Sequence, residues 1–320
     1  MTDHPFNALP DRGKEPTSKR NLDAWIEQAQ PKTGVASGRL GWLVASSVVI
    51  AALQRTRADD GHPRFLLKGG AYLEVRLGLR ARATKDIDTL FRGDFGDFLE
   101  VLDGTLAESW GAIELQRTEV AIIEGARRVV KPRRFKVKLL INGQTWRSIV
   151  VEVAADEGQA GANVDLFAGP PLRHFGLPSP VELAGIVFDY QVAQKVHACT
   201  DPHEPPDQIN DRARDLVDLL LIRDFFYRDD TDLVAGTPAT REGTPPCCAL
   251  RAACVDVFDA RAQDAEALGL TVRTWPPTVH AHADWQTDFA DAAGDRELTL
   301  DAAVDHVNEW IRQIHAASTP

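Results

Sequence analysis

Two aspartates one residue apart, Asp86 and Asp88, stand in the stretch Thr-Lys-Asp-Ile-Asp-Thr-Leu-Phe at 84–91. A glycine pair, Gly69-Gly70, closes the short apolar run Phe65-Leu66-Leu67 and its Lys68. Alternate positions on a strand face the same way, so both carboxylates would lie on one side while Ile87 enters the core. Two carboxylates side by side repel unless something positive lies between them. Hard oxygen donors of this kind select Mg2+ or Mn2+. A strand, a glycine turn and a helix start together offer backbone N–H groups to phosphate oxygens, and glycine leaves room for close approach. The two patterns combined suit transfer of a nucleotidyl group from a metal-bound triphosphate. Taken singly, each has a plainer explanation: a tight turn for the glycines, a solvated strand end for the acids.

A third carboxylate is expected from a neighbouring strand, and Glu152 is the candidate. It lies among Ile149, Val150, Val151 and Val153, where an isolated acid is expensive to bury. Facing the aspartates it would complete a two-metal site. Otherwise it would orient a basic neighbour such as Arg147, and Asp156 is the fallback ligand. Lys68, just before the turn, reads more simply as a surface or structural lysine than as a phosphate ligand. Lys195, in Gln194-Lys-Val-His-Ala198, lies on an amphipathic segment and could reach a phosphate from across a cleft. Asp215 and Asp218 are three apart and share a helical face, where they could hold Lys195, Arg212 or Arg214 in place. Such pairs contribute little if they are only on the surface. His197 reads as packing between helices. No Gly-x-Ser-x-Gly elbow supports a serine hydrolase.

The elements that must position these groups follow from periodicity. Residues 1–20 show none and predict a mobile tail. Helices are expected over Leu22 to about Gln30, Arg39 to about Arg57, Ala71–Leu79 and Phe95–Glu108, with strands at Phe65–Leu67 and Ile87–Phe91. Further on, Phe135, Val137 and Leu139 alternate with Lys136 and Lys138, Asn142-Gly143 marks a hairpin turn, and Ser148–Ala154 returns. Compositional breaks at Gly169-Pro-Pro171 and Pro178-Ser-Pro180 divide a core at 21–178 from a helical C-terminal domain at 179–320. Ser179 is expected to cap a helix over about 181–199, followed by one at 211–227. Residues 229–247 read as a flexible loop.

A net charge of −11 and a pI near 5.3 argue against bulk nucleic-acid affinity. A local basic run, Arg117 to Arg147, is the exception and could dock a polyanion. The longest apolar segment, Leu40–Leu53, is interrupted by Gly41 and Ser46-Ser47 and predicts a buried helix rather than a membrane span. The polar N-terminus is no signal peptide. Four cysteines without zinc-ligand rhythm fit a reduced, cytoplasmic protein. Monomer is the default expectation.

In combination these blocks resemble the AbiEii-type nucleotidyltransferase toxins, including the mycobacterial MenT group. The resemblance rests on Leu67 to Asp88, Gln194–Ala198 and Asn210–Asp218, and more weakly on Trp275-Pro276 and Trp285. It implies an α/β chain with a minimal polymerase-β-like nucleotidyltransferase core, a mixed sheet with flanking helices, plus a helical C-terminal domain. It implies metal-dependent transfer of NMP from an NTP to the 3′ end of tRNA, which blocks charging and translation. The roles it carries over are Gly69 and Gly70 as phosphate turn, Asp86 and Asp88 as metal ligands, Lys195 at the triphosphate and Asp215 in support. A cognate antitoxin encoded nearby is also implied. In some relatives the antitoxin phosphorylates a hydroxyl residue beside the first aspartate, a place Thr84 holds here; a phosphate there would repel the NTP. Gly-Gly stands where the wider superfamily has Gly-Ser. Two alternatives remain: a protein nucleotidyltransferase that modifies hydroxyl side chains, and a catalytically silent module that binds a nucleotide or partner.

Overall fold

The computed structural model describes residues 4–227 and 246–317, apart from the side chains of 246 and 247. Two helices open the chain, α1 (Lys19–Thr33) and α2 (Ser37–Leu53). Ser18 caps α1 by accepting from the Asn21 N–H at 3.2 Å, and Gly34, in the left-handed region, ends it. Helix α2 is buried from Leu43 to Leu53. Its Ser46 and Ser47 hydroxyls donate back to the Leu43 carbonyl at 3.2 and 2.6 Å, so they enter the core satisfied. Among the described residues no single helix is long and apolar enough to cross a membrane.

The segment that carries the glycine pair and the two aspartates follows. Strand β1 (Phe65–Lys68) runs into α3 (Gly69–Leu77), and β2 (Asp86–Phe91) returns antiparallel to β1. Phe65 opposes Phe91 with ring centroids 5.1 Å apart, and Phe98 of α4 (Phe98–Leu106) closes on Phe91 at 5.7 Å. Aromatic contacts of this kind contribute about 0.5–1.5 kcal/mol each beyond area burial. They pin the register that sets Lys68 opposite Asp88. Strands β3 (Glu114–Arg117) and β4 (Ala121–Ile122) then precede the long hairpin β5 (Arg133–Ile141) and β6 (Gln144–Ala155). Its turn carries positive φ at Asn142 (50°) and Gly143 (71°), the pairing expected of an Asn-Gly hairpin. Pairing shifts between Leu139 and Leu140: Leu140 faces Thr145, but Leu139 faces Arg147, leaving Trp146 as an extra residue. The Trp146 indole donates to Asp23 of α1 at 2.8 Å.

With β7 (Val164–Ala168) and β8 (Glu182–Ile186) the strand order is β3-β5-β6-β2-β1-β8-β7, with β4 paired to β5. The sheet is mixed: β2 pairs parallel with β6, and β1 parallel with β8. Helices α5 (Phe188–Cys199), α6 (Ala213–Phe226), α7 (Pro246–Ala267), α8 (Trp285–Ala293) and α9 (Leu300–Ala316) complete the described elements.

Two expectations are corrected. Residues 4–18 are not a free tail. Phe6 is fully buried against Phe175 with centroids 4.9 Å apart, and the Pro10 carbonyl contacts the His174 ring at 2.7 Å. The segment after Pro180 is first a strand: β8 is needed to flank β1, and the helix begins only at Phe188. Ser179 caps no helix; its hydroxyl accepts from the Leu172 N–H at 2.7 Å. The chain clusters into two compact units, one of residues 1–126, 130–156 and 166–185, the other of 127–129, 157–165 and 186–320. The loop expected over 229–247 lies outside the described residues except for its last two, which begin α7.

The second unit is helical, and one of its partly buried acids has a shifted pKa. Tyr227 donates to Asp189 of α5 at 2.5 Å. Burial raises the Asp189 pKa from 3.8 to about 6, against the opposing pull of that hydrogen bond. Between those values the folded state keeps a proton that the unfolded state has lost. Stability therefore falls as pH rises from about 4 to about 6 and is level above, a change on the order of 3 kcal/mol. Asp189→Asn should remove this component. Denaturation midpoints of wild type and variant, compared at pH 4 and pH 7, should converge at the low pH and favour the variant at the high one.

Candidate active site

The glycine turn and the aspartates meet in the first unit. Gly69 has φ +64°, a conformation that a residue with a side chain adopts only at a cost. A Cβ there would also strike the Asp88 carboxylate, with Asp88 Cβ and Cγ both at 3.1 Å. At Gly70 a Cβ would come within 3.1 Å of Thr84 Oγ1 and 3.4 Å of Arg82 Nη2. The turn is thus packed directly on the acids' own segment. Gly69→Ala should lower stability by about 2 kcal/mol and displace Asp88. Urea denaturation would read the first effect, and nucleotide transfer, expected to fall about 100-fold by mispositioning, the second.

Asp86 and Asp88 lie on one face of β2, half-buried, with Ile87 fully buried between them. The buried Thr84 hydroxyl donates to Asp86 Oδ1 at 2.9 Å and so fixes one carboxylate. The Thr84 carbonyl accepts from Arg39 of α2 at 3.4 Å. Arg39 forms an ion pair with the buried Glu74 of α3. Burial lowers the Arg39 pKa only to about 10, so it remains a cation at neutral pH. This brace links two helices to the strand's entry and has no signature in the sequence, because nothing in the spacing of 39, 74 and 84 reports a contact. The Thr84 hydroxyl, the expected modification site, is buried and lies between Gly70 and Asp86.

Glu152 comes where the sequence placed it, beside Asp88 in parallel register, while Asp86 opposes Val150. Its carboxylate is already used. Arg134 of β5, opposite Glu152, donates through Nε at 2.7 Å and approaches through Nη2 at 2.5 Å. The alternative partner, Arg147, lies instead toward Asp23 at 3.9 Å. Asp156 follows the end of β6, four residues beyond Glu152, about 13 Å along the strand axis, and is no neighbour of the pair. No group of three or more His, Cys, Asp or Glu side chains among the described residues has metal-holding geometry. The donor set that fits a hard cation is therefore the Asp86–Asp88 pair, with Glu152 bound to Arg134 beside it. Lys68, half-buried, opposes Asp88 on the other side.

In the second unit Lys195 of α5 is buried, and its ammonium donates to Asp215 Oδ1 at 2.6 Å and Asp218 Oδ2 at 2.8 Å. Asp218 is fully buried. The Asn210 side chain ties this arrangement together: it donates to the carbonyls of Ala198, Cys199 and Asp201 at the end of α5 and accepts from the Arg212 N–H before α6. His197 is held by Arg273, and burial lowers its pKa to about 2. Its ring packs on Phe258 with centroids 4.8 Å apart.

The basic run at 117–147 is largely consumed. Arg117 binds Asp103 at 2.5 Å, Lys131 binds the Glu124 carbonyl, and in the second unit Arg128 pairs with Glu157. Arg76 packs over the Tyr72 and Phe167 rings and donates to the Tyr72 hydroxyl at 2.9 Å.

The family model "Nucleotidyl transferase AbiEii toxin, Type IV TA system" matches residues 51–309. Among solved structures, the chain is similar to MenT4, a nucleotidyltransferase toxin from Mycobacterium tuberculosis H37Rv. The identity is 16%, the TM-score 0.36, and the match covers 91% of this chain and 99% of that one. No match is found among curated proteins.

Proposed function

The chain belongs to the AbiEii nucleotidyl transferase toxin family of type IV toxin–antitoxin systems, and from that premise we propose that it transfers NMP from an NTP to the 3′ end of tRNA, so that the tRNA cannot be charged and translation stops. The observation that carries the reading is the contact of Gly69 with Asp88, which brings a phosphate-type turn and a metal-type acid pair into one site.

Asp86 and Asp88 would hold Mg2+ or Mn2+, which when bound offsets charge on the triphosphate and favours the ionised form of the attacking hydroxyl. The backbone N–H groups at the start of α3 suit phosphate oxygens, and the absence of a side chain at Gly69 keeps that approach open. Thr84 keeps the Asp86 carboxylate from turning away. Lys68, across from Asp88, adds a cation on the phosphate side. Glu152 acts through Arg134 rather than as a ligand. Lys195 is proposed as a triphosphate contact and Asp215 as its support. In the overall step the acceptor oxygen bonds to the α-phosphorus, the bond from that phosphorus to the bridging oxygen breaks, and pyrophosphate leaves.

Membership in this family implies a cognate antitoxin. We place the chain's action in the cytoplasm, where NTP and tRNA are found, and take it to act as a monomer.

The decisive experiment incubates the protein with each α-labelled NTP, Mg2+ and total tRNA. Label at the tRNA 3′ end supports the proposal. Label in a protein band with tRNA untouched transfers the reading to a protein acceptor, and no label with any NTP in folded protein removes the transferase assignment for this chain.

A further inference from the structure

Strand β5 carries a line of cations of which only Arg134 touches the nucleotide site, through Glu152. Arg134, Lys136 and Lys138 are exposed, while Phe135, Val137 and Leu139 between them are buried. Their partners across the sheet relate them to the acids. Arg134 opposes Glu152, which opposes Asp88; Lys136 opposes Val150, which opposes Asp86; Lys138 opposes Ser148, beyond the start of β2. Partners in register share a face, so all three cations lie on the face of Asp86 and Asp88, two strands and about 10 Å away. Alternate residues of a strand are about 7 Å apart, so the line is about 14 Å long. It begins level with Asp88, passes Asp86 and continues beyond it.

Most other cations of the 117–147 run are spent on internal partners. Arg134 is fixed by Glu152, whereas the side chains of Lys136 and Lys138 make no ion pair or hydrogen bond among the described residues. On a chain of net charge −11, two unpaired lysines aligned with a pinned arginine are a local exception to a field that repels polyanions. Regularly spaced point charges along a straight edge fit a backbone of regularly spaced phosphates better than a folded protein surface.

We propose that this face of β5 is the track for the acceptor's phosphate backbone, and that a single-stranded RNA end lies along it with its terminal hydroxyl directed to Asp86 and Asp88. The inference rests on the nucleotidyl-transfer reading and adds the path of the acceptor. Arg134 anchors the phosphate nearest the reacting end, and Lys136 and Lys138 hold the following ones.

The test is Lys136→Glu with Lys138→Glu, neither of which touches the nucleotide site. Binding of a fluorescein-labelled single-stranded RNA of about twelve nucleotides and of labelled bulk tRNA is followed by anisotropy between about 50 and 200 mM salt. The double variant should lose at least about tenfold in affinity at the lower salt, and its log–log salt slope should shrink by about 1.4, two phosphates at about 0.7 each. Binding of a fluorescent NTP and the melting temperature should not change. In turnover the KM for RNA should rise at constant kcat. Equal RNA affinity in both proteins overturns the track, as does a wild type that binds no RNA but labels a protein. A wild type that binds no NTP, yet whose RNA binding still depends on the two lysines, would strike the transferase assignment and leave the track standing.

Discussion

Asp88→Asn should reduce nucleotide transfer by about 10³-fold or more, equivalent to about 4 kcal/mol of transition-state stabilisation, without unfolding the protein. The side chain is at the junction of the site. Gly69 packs on its carboxylate, Lys68 opposes it on β1 and Glu152 on β6. Asparagine keeps the shape and so keeps the turn, but it supplies one neutral oxygen where two charged ones stood. The affinity of hard cations depends on that charge. Removing one of three acids crowded on adjacent positions also relieves like-charge repulsion, so the melting temperature should hold or rise slightly. Label transfer and thermal melting measured on the same preparation separate the two effects. An Asp88→Asn protein that transfers at the wild-type rate would show that the pair is only a solvated strand end.

Lys195→Ala should have the largest effect on stability, about 3–5 kcal/mol. The family resemblance places this lysine at the triphosphate. In the folded chain its ammonium is already engaged, buried between Asp215 and the fully buried Asp218. Removing it strips that ammonium from two neighbouring carboxylates, one of them out of water, which is the expensive way to break a buried pair. Paired replacement with Asp218→Asn should recover part of the loss, since one of the stranded charges is then gone. Urea midpoints of the single and double variants measure this directly. If Lys195→Ala melts like wild type and only raises the KM for NTP, the ion pair is dispensable and the phosphate role is primary.

How far the residues announced this arrangement varies with distance along the chain. Gly69-Gly70 and the 86–88 alternation are short-range patterns, and their meeting follows once β1 and β2 pair as neighbours. Glu152 was legible as a strand acid beside the aspartates, but its partner was not. A plain hairpin around Asn142-Gly143 sets Arg134 opposite Val151; the extra Trp146 moves the pairing by one residue and sets it opposite Glu152. No local pattern signals that shift, because Trp146 is held by a hydrogen bond to Asp23 on α1, a residue far away in the chain. The brace of Arg39, Glu74 and Thr84 was invisible for the same reason: it joins residues on separate elements. The packed N-terminal segment was misread because Phe6 is a single anchor without periodicity, and β8 because an apolar stretch after two prolines fits a helix start as well as a strand.

The odd residue in the β5–β6 hairpin has a consequence for how such a chain can change its length. Side chains alternate with period two, and Trp146 stands outside that count: deleting it alone would leave a plain Asn-Gly hairpin with Arg134 still opposite Glu152, the lysines on the open face and Phe135, Val137 and Leu139 in the core, at the cost of the link to Asp23. Loss of one regularly paired residue of β6, Ser148 for example, would instead set Arg134 opposite Val153 and put charge and grease on the wrong sides of one arm. Natural variation along the regularly paired part of this arm should therefore come in even steps, whereas at the bulge a single codon can be lost with both surfaces kept.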